Sequence, residues 1–211
     1  MPVKTLIALT IAAVISAVAC PASARAEECK YMRDGIDPFS NEKRVTTKWS
    51  PLTGWLSDVI NQSLNKNSEI SVLAIVRGEQ KLLAMQLKLS DTTKYEPTHS
   101  EIRYAFEIPN GARLQITMAD RSVVDLYAEK SVLGDTHANY EDGIFVIKTT
   151  ITAKYPLDTG AAATLSSQNA VSVQLAVSSR KYAFTENYGL FKTNIHEKSR
   201  GNIRQVLDCT T

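Results

Sequence analysis

The chain has 211 residues, 44% of them hydrophobic, with 24 Lys and Arg against 22 Asp and Glu for a net charge of +2. The basic residues are spread along it and form no cluster. That removes any charge-driven case for nucleic acid or an anionic membrane surface as partner.

The first stretch reads as a targeting segment. Lys4 makes a short positive start, Leu6 to Ala19 is apolar apart from Thr10 and Ser16, and Ala24-Arg25-Ala26 is a small-x-small cleavage site. In that order these features mark a secretory signal peptide over residues 1–26. The apolar run is about 14 residues, short of the ~20 that span a bilayer, and no later stretch is apolar enough, so no transmembrane span is expected in the mature chain. A second processing site competes. Ala17-Val18-Ala19-Cys20 loosely resembles a bacterial lipobox with Ala17 where Leu is usual, and it would place lipid on Cys20. The mass of the mature N-terminus separates the two. Loss of Lys4 and Arg25 with the leader brings the 24 basic residues to 22, equal to the 22 acidic ones, so the mature chain over 27–211 is formally neutral.

Of the three cysteines, cleavage removes Cys20 and leaves Cys29 and Cys209 at the two ends of the mature chain. In an oxidising compartment the simple expectation is a disulfide between them, with two free thiols as the alternative. Closing a loop of about 180 residues restricts the unfolded chain by ~5 kcal/mol in the entropy model and pins both termini. No Cys-x-x-Cys occurs, so a thiol oxidoreductase reading fails.

In chain order, a short first strand is expected within Glu28 to Arg33, followed by turn signals at Asp34-Gly35 and Asp37-Pro38, with Phe39 tucked against the sheet. Lys43 to Trp49 is rich in β-branched residues and reads as a strand. Trp55, Leu56, Val59, Ile60 and Leu64 sit near helical spacing, with a strand as the alternative. Glu69 to Arg77 and Lys81 to Ser90 read as a hairpin turning at Gly78-Glu79-Gln80. Leu83, Met85, Leu87 and Leu89 share one face. Leu73 and Ile75 load the second face of their strand, which the C-terminal helix is expected to cover. Asp91 to Ser100 reads as a polar connection.

The strongest patterning lies in Glu101 to Lys130. Ile102, Tyr104, Phe106 and Ile108 alternate with polar residues, as do Leu114, Ile116 and Met118. Asn110-Gly111 offers a tight hairpin and Asp120-Arg121 a weaker turn, so three antiparallel strands in a meander are expected. Leu133 to Gly143 reads as a loop and Gly143 to Tyr155 as a strand ended by Pro156. The stretch 157–211 reads as helical turns near Asp158 to Ser167, a strand through Val171 to Val177 neighbouring Tyr182 and Phe184, and a C-terminal helix with Ile203, Val206 and Leu207. Asn194 is its cap candidate and Gly201 weakens it. The fold class that follows is mainly β with minor α (α+β). It is an antiparallel β-sandwich or bent meander sheet with a C-terminal helix, in a single β-rich domain to which 157–211 could be an appendage.

Few residues point to chemistry. Asp135, His137 and Glu141 could offer ligands to a divalent cation from the loop after Leu133, but the spacing matches no calcium loop. The three histidines are scattered, and neither a nucleophile elbow nor His-Glu-x-x-His appears. No cofactor is implied. Trp49, Trp55 and Tyr140 fall in or next to loops and could form a contact surface; the alternative is that both tryptophans complete the core. The expectation is a periplasmic or secreted, non-catalytic binding module of a bacterial envelope, with an unidentified protein or polymer partner. The rival class is a secreted hydrolase, which could depend on a metal held by Asp135, His137 and Glu141.

Overall fold

The computed structural model describes residues 29–53, 67–98, 106–178 and 189–210. The leader expected over 1–26, the Cys20 alternative, Trp55 and the stretch around it, Ile102 and Tyr104, and Tyr182 and Phe184 lie outside the described residues.

The architecture is mainly β and antiparallel throughout. In chain order the strands are β1 (Tyr31–Ile36), β2 (Lys43–Thr47), β3 (Ser50–Pro51), β4 (Asn67–Arg77), β5 (Gln80–Thr93), β6 (Glu107–Ile108) and β7 (Arg113–Met118). There follow β8 (Val123–Tyr127), β9 (Val132–Leu133), β10 (Asp135–Glu141), β11 (Ile144–Leu157), β12 (Ala170–Val177) and β13 (Gly189–Asn194). Two α-helices, α1 (Thr159–Ser167) and α2 (Asn202–Asp208), and a single 3-10 turn at Glu197–Ser199 complete the described elements. One sheet runs β1-β2-β4-β5-β11-β10 with β3 on β4, a second runs β13-β12-β7-β8, and β6 pairs β9. The stretch 157–211 therefore supplies an inner strand, β12, between β13 and β7.

Alternation along the strands builds the core. Ile70, Val72 and Ala74 of β4, Leu83, Met85 and Leu87 of β5, and Ile151 and Tyr155 of β11 point the same way. They join Leu114, Ile116 and Met118 of β7 and Val173, Leu175 and Val177 of β12 in one buried cluster. Burying each of the Val, Leu, Ile and Met side chains among them is worth about 1.5–3 kcal/mol over leaving it exposed. The helix α2 adds Ile203, Val206 and Leu207 to this same cluster. It therefore lies with Ile70 and Val72 and does not cover the second face of β4, as the two-sided pattern had suggested. Leu73, Leu82 and Ala84 are buried outside that cluster.

Several local expectations are corrected. The Asn110-Gly111 turn does not close a hairpin. Ala112 N–H donates to the Pro109 carbonyl at 3.0 Å with Gly111 at φ 73°. This turn swings the chain out of β6, which pairs β9 rather than β7. Phe106 and Ile108 go into the core between the sheets. The weaker signal, Asp120-Arg121, makes the true β7–β8 hairpin: Arg121 N–H donates to the Met118 carbonyl at 3.0 Å, with Arg121 in the left-handed region at φ 73°. Asp120 anchors that turn. The Ser122 hydroxyl, the Gln168 side-chain amide (2.8 Å) and the Ser122 N–H (2.9 Å) hold its carboxyl down to about 2. The Ser122 hydroxyl approaches outside hydrogen-bonding geometry, so the two N–H contacts are the firm ones.

Asp34-Gly35 is not a turn but the middle of β1, opposite Val45 and Arg44. The turn is Asp37 to Asn41, where the Asp37 carboxylate accepts from Phe39 N–H and Ser40 N–H at 2.9 and 3.2 Å. Those bonds, with Arg44 at 3.0 Å and Arg33 at 3.4 Å, lower its pKa. Phe39 is 99% exposed rather than tucked in. The strand β5 runs three residues past Ser90 into the expected connection, and β11 runs through Pro156 to Leu157. Leu133 to Gly143 is not a loop: β10 fills it, paired with β11 around a turn at Asp142 (φ 48°) and Gly143 (φ 86°). The cap of α2 is Gly201, not Asn194, so Gly201 sits outside the helix it was expected to weaken.

Tyr155 carries a testable anomaly. Its side chain is fully buried and its hydroxyl has no hydrogen-bond partner among the described residues. An unmet buried hydroxyl costs about 1–3 kcal/mol, so Tyr155→Phe should be neutral or raise stability by up to that amount in denaturant unfolding. Burial also pushes the phenol pKa up. Above the ordinary tyrosine pKa of about 10 the unfolded chain can ionise this group while the folded chain holds it neutral, so its share of stability is lost as pH rises from there. The Phe variant should lose less stability than the parent above that pH; an identical pH slope would contradict the burial account.

Candidate functional site

Two residues far apart in the sequence meet. Cys29 and Cys209 form a disulfide with Cα atoms 5.6 Å apart across a sequence separation of 180. Around it, Tyr31 Oη donates to the Cys209 carbonyl at 3.1 Å. One bond ties α2 to the first sheet, Asn202 Nδ2 donating to the Pro51 carbonyl at 2.7 Å, and ahead of the helix His196 N–H donates to the Leu52 carbonyl, just past β3, at 3.0 Å. A helix of seven residues is marginal in isolation, so its placement rests on its three buried side chains, these bonds and the bridge.

Between the β1–β3 edge and α2 lies a cleft of about 440 Å³. Lys30, Lys48, Trp49 and Pro51 form one wall; Asn202, Gln205 and Cys209 form the other. Trp49 is half-buried, neither fully in the core nor free in solvent. Lys48 N–H donates to the Lys30 carbonyl at 2.8 Å, continuing the β1–β2 register that opposes Tyr31 to Thr47, so the two lysines stand directly across from each other. Strand alternation turns them away from Tyr31 and the buried Thr47, so their ammonium groups belong to the rim and not the floor. No carboxylate lines the cleft among the described residues.

A second cleft, of about 340 Å³, lies on β4, β5 and β11, lined among others by Glu69, Lys88, Ser90, Lys148 and Thr150. Lys88 there reaches Glu69 at 3.6 Å, so its charges are partly matched within the fold.

The residues expected as metal ligands lie on β10. His137 Nε2 is 3.2 Å from Asp135 Oδ1, and both side chains are about three-quarters exposed, at 73% and 77%. Glu141 shares their face but stands four residues on from His137, about 13 Å at the usual strand rise. Lys148 is directly opposite His137. A divalent cation there would meet an ammonium group, and no cluster of three His, Cys, Asp or Glu occurs among the described residues. Neither Asp135 nor His137 lines either cleft. Tyr140, on the other face of β10, is 65% exposed and tilts against Phe145 with ring centroids 4.9 Å apart. Trp55 lies outside the described residues.

Of the expected contact aromatics, then, Trp49 alone is placed in a cleft among the described residues. Sequence reading did not single out Lys30, Lys48, Asn202 or Gln205. The available signal was the disulfide itself: pairing Cys29 with Cys209 brings whatever flanks each of them into one place. No helix among the described residues is long and apolar enough to cross a membrane. Neither known protein-family profiles nor curated proteins match the chain.

Proposed function

We propose that the protein is an exported, non-catalytic binding module of a bacterial envelope, periplasmic or secreted after loss of residues 1–26, and that it meets a protein or polymer partner through the cleft at Trp49. The observation that carries this reading is a half-buried tryptophan on one wall of a cleft whose opposite wall is clamped by a disulfide. An aromatic face with a few polar groups around it is the usual make-up of a recognition site, and walls held rigid before binding reduce the ordering cost on association. The bridge suits an oxidising compartment, as the leader pattern does. The open setting of Asp135 and His137 favours a module over a hydrolase, because catalysis needs convergent groups in a site that excludes water.

The test has two parts. Intact mass of the protein recovered from its own cell envelope should begin at Glu27; a lipid-modified Cys20 would replace secretion with anchoring. Co-sedimentation of the mature protein with isolated envelope polymer and membrane fractions should show binding that Trp49→Ala weakens about tenfold, roughly 1.4 kcal/mol, at an unchanged circular dichroism spectrum. Binding indifferent to Trp49→Ala would remove the cleft from the reading.

A further inference from the structure

We propose that the ligand of the Trp49 cleft is a carboxylated sugar chain, its acid group seated between Lys30 and Lys48 and a ring lying on Trp49; this rests on the reading of the cleft as the contact surface. The argument starts from an arrangement that folding alone disfavours. Lys30 and Lys48 oppose each other across an antiparallel pair, the position in which like charges repel most directly in a sheet. Neither meets a carboxylate among the described residues, although Asp37 in the neighbouring turn gathers two arginines. Two unmatched ammonium groups at one rim are complementary to an anion, and an anion would convert their repulsion into two attractions. Both side chains are exposed, so the flexible lysine stems can close on a group that arrives from solvent.

The rest of the cleft limits the kind of anion. Beyond the rim stand the indole of Trp49 and, across from it, the amide side chains of Asn202 and Gln205. Asn202 already spends one N–H on the Pro51 carbonyl, which fixes its orientation and leaves its side-chain oxygen to accept. A flat apolar face, the Asn202 side-chain oxygen as an acceptor, and cations at the edge suit a sugar ring carrying hydroxyls and a carboxylate. A small inorganic anion would use the lysines and leave Trp49 idle. An acidic peptide would use the lysines without needing a flat ring face.

The experiment is a calorimetric and NMR titration of the oxidised mature protein with a defined oligouronate, with neutral dextran oligomers of equal length, and with oligoglutamate. The proposal expects oligouronate to bind, with affinity falling as salt rises. The paired variant Lys30→Gln/Lys48→Gln should weaken binding at least tenfold, while Lys48→Arg retains most of it. In the free protein Lys48→Gln should leave the melting temperature unchanged or raise it, because it removes a repulsion. Equal binding of dextran, indifferent to the lysine variants, would overturn the assignment of charge while leaving the cleft as a site. Binding of oligoglutamate without oligouronate would make the ligand an acidic peptide and overturn the sugar. No binding of any of the three, alongside Trp49-dependent binding to envelope fractions, would overturn this inference and spare the proposed function; loss of both would remove the site.

Discussion

Replacing both Cys29 and Cys209 by alanine should lower the unfolding free energy by several kcal/mol, up to about 5 on the loop-entropy model for a closed loop of this length. The stabilisation acts mainly on the unfolded chain, in which the bridge closes a loop of 180 residues, so loop length sets its size. Typical domains are stable by about 5–15 kcal/mol in all, so the variant should sit near the edge of folding at physiological temperature. Denaturant midpoints of the oxidised protein, the reduced protein and the double alanine variant give the measurement. The last two should coincide and both should fall well below the first. Equal midpoints would mean that the bridge closes over ends already held elsewhere.

Truncating Leu87 or Leu114 to alanine should cost about 2–5 kcal/mol each, since both side chains are fully buried and in one cluster though they come from different sheets. The more informative part is the shape of the transition. If the two sheets share a core, each variant shifts a single unfolding step that fluorescence and circular dichroism report together. Separate steps, with Leu114→Ala moving only one of them, would mean that the second sheet unfolds on its own.

What was legible in the sequence, and what was not, has a consistent physical cause. Strands buried on at least one face declared themselves: the β4–β5 hairpin, β11 and β12 carry large apolar side chains at period two, and burial enforces that period. The edge strand β10 did not. Its Thr136 and Ala138 are small and half-buried, and Asp135, His137 and Asn139 face solvent, so the alternation carries almost no hydrophobic contrast. Asp142-Gly143 was the overlooked signal, because two successive left-handed residues are what a two-residue hairpin demands. Reading this hairpin as a loop hid the spacing of the three: Asp135 and His137 meet at 3.2 Å, while the strand sets Glu141 four residues further on. Asn110-Gly111 misled in the opposite way. The dipeptide specifies a tight turn but not which strands it joins, and Pro109 with Gly111 turned the chain into the second sheet. Phe39, expected against the sheet, is exposed, since the local bonds of Asp37 to Phe39 N–H and Ser40 N–H fix the turn without its side chain. The cleft was the least legible feature. Its walls come from positions 30, 48–51 and 202–209, and the one link among those stretches that a sequence displays is the cysteine pair beside the first and the last of them.

The account depends on the sulfur bridge holding α2 against the β1–β3 edge so that Trp49 and its neighbours face a formed cleft. Amide hydrogen exchange read by mass spectrometry, on the protein before and after reduction, tests that dependence most directly. Protection in β1 and in α2 should fall sharply on reduction, while β4, β5 and β11, paired along most of their length, keep theirs. Protection of α2 that is the same with and without the bridge would contradict it.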